Sequence, residues 1–156
     1  MNERRWQQAE WRAYMDREEW EEIEEKKEYL KGYRKAKQRE QMLLEQIQQL
    51  RLDTMMPSIN NDGMPHGSGG ESDLSDYIEK YEELKAELEK ERLEAVQTYQ
   101  RIHRSLKQME DSDEREALTR YYLIRERWDD IPKKMGISRT KFYNIYDSAL
   151  KNFQIL

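Results

Sequence analysis

Apolar residues recur through the first third of the chain at Trp6, Ala9, Ala13, Trp20, Ile23, Leu30, Tyr33, Ala36, Leu43, Ile47 and Leu50. These steps of three and four, with gaps, draw a narrow stripe along one long helix. Residues 1–52 contain no proline and a single glycine, Gly32, and are dominated by the helix formers Glu, Gln, Lys and Arg. The stripe thins at 24–29 and again at 37–41, so residues 1–37 are expected to fray, or to become helical only against a partner. Residues 53–73 carry Pro57, Gly63, Pro65, Gly67, Gly69 and Gly70 among Ser, Asn and Asp, the composition of a loop. A loop of that length is uncommon without a purpose. A second stripe, Leu74, Ile78, Tyr81, Leu84, Leu88, Ala95, Tyr99, Ile102, Leu106 and Met109, predicts a helix over 74–110. Ser72 or Asp73 would cap it, with Asp76 adding charge to its first turn. Its pattern is broken once, at Glu91 and Arg92, and otherwise reads as a coiled-coil-like seam. The partner is either the first helix, folded back as a helical hairpin, or the same helix of a second copy, and the pattern fits both.

Past Asp111-Ser112-Asp113 the period changes to three short helices over 113–156. Asp113 with Glu116 resembles a capping box for the first, Glu114–Glu126, which presents Leu118, Tyr121, Tyr122 and Leu123. The second, Asp129–Met135, presents Ile131 and Met135. Gly136 is placed to end it in left-handed geometry, and Ile137 plugs the turn. Pro132 is tolerated only in a first turn, so this helix starts late, at Asp129 or Asp130. Ser138 is the N-cap of the third helix, with Phe142, Ile145, Tyr146, Ala149 and Phe153 as its buried stripe. Two helices joined by a short turn containing glycine form a helix-turn-helix. The predicted fold is all-α: a long helical hairpin or coiled-coil arm followed by a three-helix helix-turn-helix domain.

Charge sharpens that division. The chain of 156 residues has a net charge of −5, but residues 115–156 hold nine Lys/Arg and five Asp/Glu, a net of +4, which leaves −9 for the rest. A basic module behind an acidic arm suits a polyanion such as DNA at one end only. Charged residues make up 39% of the chain and hydrophobic ones 36%, which favours long exposed helices over a thick core. There is no cysteine, so disulfides and thiolate metal sites are excluded. No apolar run approaches the ~20 residues of a membrane span, and the start of the chain lacks the apolar stretch of a signal peptide. A soluble, cytoplasmic protein is expected.

The solvent face of the third helix would carry Arg139, Thr140, Lys141, Tyr143, Asn144, Asp147 and Lys151. In such modules the N-terminal end of this helix meets base edges. Arg139 can fork onto guanine and Asn144 can bridge adenine. The free N–H groups of the first turn, beside Ser138, suit phosphate. Lys133, Lys134 and Arg127 would add backbone contacts that carry affinity without sequence. An isolated amphipathic helix with these residues would be no more than a solvated face, and Tyr143 has an equal claim to pack inward. Tyr121, Tyr122 and Trp128 read as core, not as base-stacking platforms. His66 in the glycine-rich loop has no ligand partner, since the other histidine, His103, sits mid-helix. The Glu-rich runs lack Glu-x-x-His pairs. No metal, no cofactor and no catalytic constellation is expected, and the chain does not read as an enzyme.

Trp128-Asp129-Asp130-Ile131, then Met135-Gly136-Ile137-Ser138-Arg139-Thr140-Lys141-Phe142-Tyr143-Asn144-Ile145 and Ala149-Leu150, resembles region 4 of sigma-70 factors, which recognises an upstream promoter element. The wider chain, ~38–153, is similar to small phage and prophage proteins of Gram-positive bacteria. These share a loop matching Gly63-Met64-Pro65-His66-Gly67 ahead of Ser72-Asp73-Leu74-Ser75-Asp76-Tyr77-Ile78. It is also similar to ArpU-type and RinA-type regulators of phage late genes. The resemblance implies that Arg139, Thr140, Tyr143 and Asn144 fall where base or phosphate contacts lie. It departs at Pro132, where such modules usually carry alanine, and it has no counterpart of the promoter-melting sigma region 2, so a regulator is expected in place of a complete sigma factor. The implied partners are double-stranded promoter or operator DNA, host RNA polymerase, and a second copy through the coiled-coil helices, with no membrane. Two alternatives stay open: a DNA-packaging protein resembling a small terminase subunit, and an adaptor that binds RNA polymerase without DNA.

Overall fold

The computed structural model describes residues 16–55 and 70–156. Its helices are α1 (Arg17–Met55), α2 (Gly70–Lys107), α3 (Ser112–Leu118), α4 (Ile131–Met135) and α5 (Arg139–Asn152), with a π-helical turn at Thr119–Leu123 and a 3-10 turn at Trp128–Asp130. The described residues include no strand, and the fold is all-α. No described helix is long and apolar enough to cross a membrane. Trp6, Ala9, Ala13 and the Gly63–Gly67 string with His66 lie outside the described residues. The described residues form two compact units: a hairpin unit within Lys35–Gln97, and a C-terminal unit in which residues 16–34 join Thr98–Leu156.

In the hairpin unit, Leu43 of α1 is buried with Leu84 and Leu88 of α2, flanked by half-buried Leu44, Ile47 and Leu50. Arg39 of α1 meets Glu91 and Glu94, and the later Leu43 is clustered with the earlier Leu84 and Leu88, so the two stretches are antiparallel. The seam left open between a hairpin and a second copy is thus filled within one chain. Leu74 and Ile78, drawn on the same stripe, are exposed. Helix α2 starts at Gly70, ahead of the predicted caps Ser72 and Asp73.

The gap at 37–41 in the first stripe faces the gap at Glu91 and Arg92 in the second. Glu40 is buried there and accepts from Lys37 Nζ at 2.6 Å and from Arg92 Nε at 3.3 Å. Arg39 donates to Glu91 at 2.9 Å and to Glu94 at 3.2 Å. A polar layer inside an apolar seam favours one alignment of the two helices, because a slipped register would part Glu40 from Arg92 and Arg39 from Glu91 and Glu94, leaving Glu40 only Lys37 of its own helix. The hydrogen bond from Lys37, aided by Arg92, holds the Glu40 carboxyl below its ordinary value.

The C-terminal unit has two joined cores. In the larger, Ile23 and Leu30 of α1 and Ile102, Leu106 and Met109 from α2 and its end meet Leu118, Tyr122, Leu123, Ala149, Leu150 and Phe153. In the smaller, Ala117, Trp128, Ile131 and Phe142 are buried. Tyr146 packs against both, and its hydroxyl meets that of Tyr122 at 2.7 Å. Burial pushes both phenols up. Tyr122 and Trp128 are core as expected, and Tyr121 is half-buried at the junction of the cores. The stretch expected to fray is helical from Arg17 onward, and as far as Arg34 it belongs to this unit.

Two local details differ from the sequence reading. The cap of α3 is Asp111, whose Oδ1 accepts from the backbone N–H of Asp113 at 2.9 Å and of Glu114 at 3.0 Å. Asp113 and Glu116 form no capping box, because Asp113 lies inside the first turn of α3, and Glu116 is engaged by Arg120 at 2.7 Å. The first short helix also does not run evenly to Glu126. It widens into the π-helical turn, and Arg125 then takes a positive φ of 64°. Arg34 of α1 donates to the Tyr121 carbonyl at 2.9 Å and lies over the Tyr121 ring, which satisfies an acceptor that the widened turn leaves open.

Replacing Glu40 by Gln is expected to cost about 1 kcal/mol in urea unfolding at neutral pH. The folded-state carboxyl is lowered, so its contribution is present above the ordinary glutamate range and is lost as pH falls through the folded value. The difference between wild type and variant therefore shrinks toward zero in acid. A difference that does not change with pH would exclude the charge as its source.

Candidate nucleic-acid interface

The turn before α5 follows from two residues. Gly136 adopts φ 68°, ψ 32°. Its N–H donates to the Lys133 carbonyl at 3.2 Å, and the Ile137 N–H donates to the Pro132 carbonyl at 3.0 Å. Those two bonds make a Schellman motif, which a residue with a Cβ enters only with strain. Ser138 then caps α5, its Oγ accepting from the Lys141 N–H at 3.1 Å. Pro132 sits in the first turn of α4, where its missing N–H costs nothing.

From this turn α5 runs for 14 residues, about 20 Å. Its two halves face different surroundings. Ser138, Arg139, Thr140, Lys141 and Asn144 are exposed, as are Lys133, Lys134 and Arg127 on the near side of the turn. The C-terminal half is packed on its inner faces, with Lys151 and Asn152 still exposed at its end. Ala149, Leu150 and Phe153 lie in the larger core with Ile23 and Leu30 of α1, and the Phe153 ring meets Tyr29 at 6.1 Å. Lys26 of α1 is buried and donates from Nζ to the Lys151 carbonyl at 3.1 Å, a cation at the negative end of the helix dipole. From the other side, buried Glu114 accepts from Ser148 Oγ and from Asn152 Nδ2.

The predicted residues therefore do not all gather at one place. Ser138, Arg139, Thr140, Lys141 and Asn144 share the open half of α5. Lys151 stands three turns away and pairs with Glu19 at 3.6 Å. Asp147, drawn on the solvent face, is half-buried toward α1, and burial raises its carboxyl to about 6 against the opposing pull of Lys27 and Lys151. Tyr143 turns inward: its ring packs 5.5 Å from Trp128, and among the described residues its enclosed hydroxyl has no partner, nor has the Trp128 indole N–H. Two pairings were not legible in the sequence. Lys134 meets Glu126 at 3.0 Å, and Arg139 meets Asp129 at 3.2 Å. The cationic surface is thus partly compensated by carboxylates on its own module. Among the described residues no group of His, Cys, Asp or Glu could hold a metal ion.

A buried hydroxyl without an acceptor destabilises its fold. Tyr143→Phe is expected to raise stability by about 1 kcal/mol in denaturant unfolding and to leave any nucleic-acid affinity unchanged. Loss of stability would show that the hydroxyl is bonded after all.

No curated protein and no solved structure matches the chain. A family model described as "Protein of unknown function (DUF1492)" matches residues 57–154, which takes in α2 to α5. That match covers more than half of the chain, and the protein belongs to this family.

Proposed function

We propose that the protein is a sequence-specific DNA-binding transcriptional regulator that reads the major groove with the open half of α5. The observation that carries this reading is the division of α5: five polar or cationic positions around its N-terminus face outward, while its C-terminal half is held on three sides by α1, α2 and α3. A helix that only packs has no need of such an end: Lys151 and Asn152, also exposed, are engaged by Glu19 and Glu114. This one offers the end at which readout helices meet base edges, beside a turn that carries Lys133 and Lys134. The resemblance to sigma-70 region 4 and to ArpU-type and RinA-type regulators supports the same reading. It extends it to a phage-encoded, cytoplasmic activator of late genes acting at a promoter, with host RNA polymerase as second partner. The reading assigns no enzymatic activity to the protein. A homodimer would have to use surfaces other than the seam of Leu43, Leu84 and Leu88, which is occupied within the chain.

In mobility-shift titrations on phage promoter fragments, the wild type should show a preferred site that competes over random duplex. Arg139→Ala and Asn144→Ala should each lose roughly 1–3 kcal/mol of that discrimination. Lys133→Ala should weaken specific and random duplex alike and lower the salt slope by about 1. Equal binding of all sequences by the wild type, or unaltered discrimination in both helix variants, would refute the assignment.

A further inference from the structure

We infer that Asp129 is a positioning residue that sets the base preference of Arg139, an inference that rests on the DNA-reading role proposed for α5. An aspartate at the start of a helix ordinarily caps it. Here neither the 3-10 turn at Trp128–Asp130 nor α4 has a side-chain cap. The Asp129 carboxylate instead reaches across the Gly136 turn, ten residues along the chain, and accepts from Arg139 Nη2 at 3.2 Å. Asp129 stands on a fixed base, because its neighbour Trp128 is buried against Phe142 at 4.7 Å and Ile131 is fully buried.

The pair is poorly explained as a stabilising contact. Both side chains are more than half exposed, at 57% and 52%, where an ion pair contributes little. What it can do is restrict a long side chain at the first position of α5. A guanidinium whose Nη2 is engaged by Asp129 has its plane limited before DNA arrives, so less rotamer entropy is lost in forming a bidentate contact with guanine. The same carboxylate repels phosphate, which penalises Arg139 for leaving the base edge and settling on the backbone. Both effects act in one direction: Asp129 gives up general affinity in exchange for discrimination.

The test is selection from duplexes with a randomised centre by the full-length chain, comparing wild type, Arg139→Ala, Asp129→Ala and Asp129→Glu. Wild type should enrich a motif in which Arg139→Ala abolishes the preference at one position. Asp129→Ala should weaken the preference at that same position about tenfold, leaving the others intact. It should also tighten binding to random duplex and steepen the salt slope by about 1, because a carboxylate that repels phosphate is gone. Asp129→Glu should restore the motif, and the thermal midpoint should not move. A motif equally sharp in Asp129→Ala overturns the inference while leaving DNA reading in place. So does a uniform loss of binding accompanied by a lower thermal midpoint, which would mark Asp129 as structural. A wild type that enriches no sequence removes the DNA reading and this inference with it.

Discussion

Everything offered at the open end of α5 depends on what holds its other end. The C-terminal turns of that helix carry Ala149, Leu150 and, just beyond, Phe153, and these residues complete their burial only against Ile23, Leu30 and Tyr29 of α1 and Ile102, Leu106 and Met109 from α2 and the segment after it. Each large apolar side chain so buried is worth about 1.5–3 kcal/mol, enough that a few of them decide whether the short helices assemble. Lys26 adds direction to the grip. Its ammonium reaches the Lys151 carbonyl while its methylene stem fills the apolar stripe. Glu114 fixes the opposite flank through Ser148 and Asn152. With one half immobilised in this way, the first turns of α5 can stand clear without fraying, and they present Arg139, Lys141 and Asn144 at defined positions.

The short helices are consequently not a free-standing module. A three-helix bundle of some forty residues has little interior of its own, and burial rises with the size of the folding unit. Here the deficit is met by the end of α2 and by a stretch of α1 more than eighty residues earlier in the chain. The hairpin unit follows a different rule. Its apolar seam is thin, and alignment is enforced by the charged layer of Lys37, Glu40 and Arg92, with Arg39 bound to Glu91 and Glu94 alongside. Charge is used in both units where hydrophobic side chains are scarce, in each case with a partner to offset desolvation.

Features governed by local rules were legible in the sequence. Gly136 has to be left-handed, Ser138 has to cap, and Phe142 and Ala149 have to lie on one face, because each follows from neighbours within a turn. Features set by distant partners were not. The stripe in α1 looked thin at 24–29 because Lys26 counts as polar, yet its stem is core once its ammonium reaches the Glu22 carboxylate and the Lys151 carbonyl. The break at 37–41 looked like a weakness and is a polar layer, visible only when Glu91 and Arg92 face it. Asp111 and Asp113 have equal capping propensity, and only the path of the chain chose Asp111. Tyr143 lies between inward Phe142 and outward Asn144, so helical period alone could not place it; the Trp128 ring did. The pairing of Asp129 with Arg139 depends on the width of a turn that composition does not report.

The dependence of α5 on α1 and α2 is tested most directly by expressing residues 111–156 alone, with the Asp111 cap kept, and following their unfolding by circular dichroism beside the full chain. Without Ile23, Leu30, Ile102 and Leu106, the side chains of Leu118, Leu150 and Phe153 face water. The fragment should therefore show weak helicity and no cooperative transition, while the full chain unfolds cooperatively. A fragment that melts as sharply and as high as the intact protein would contradict the account.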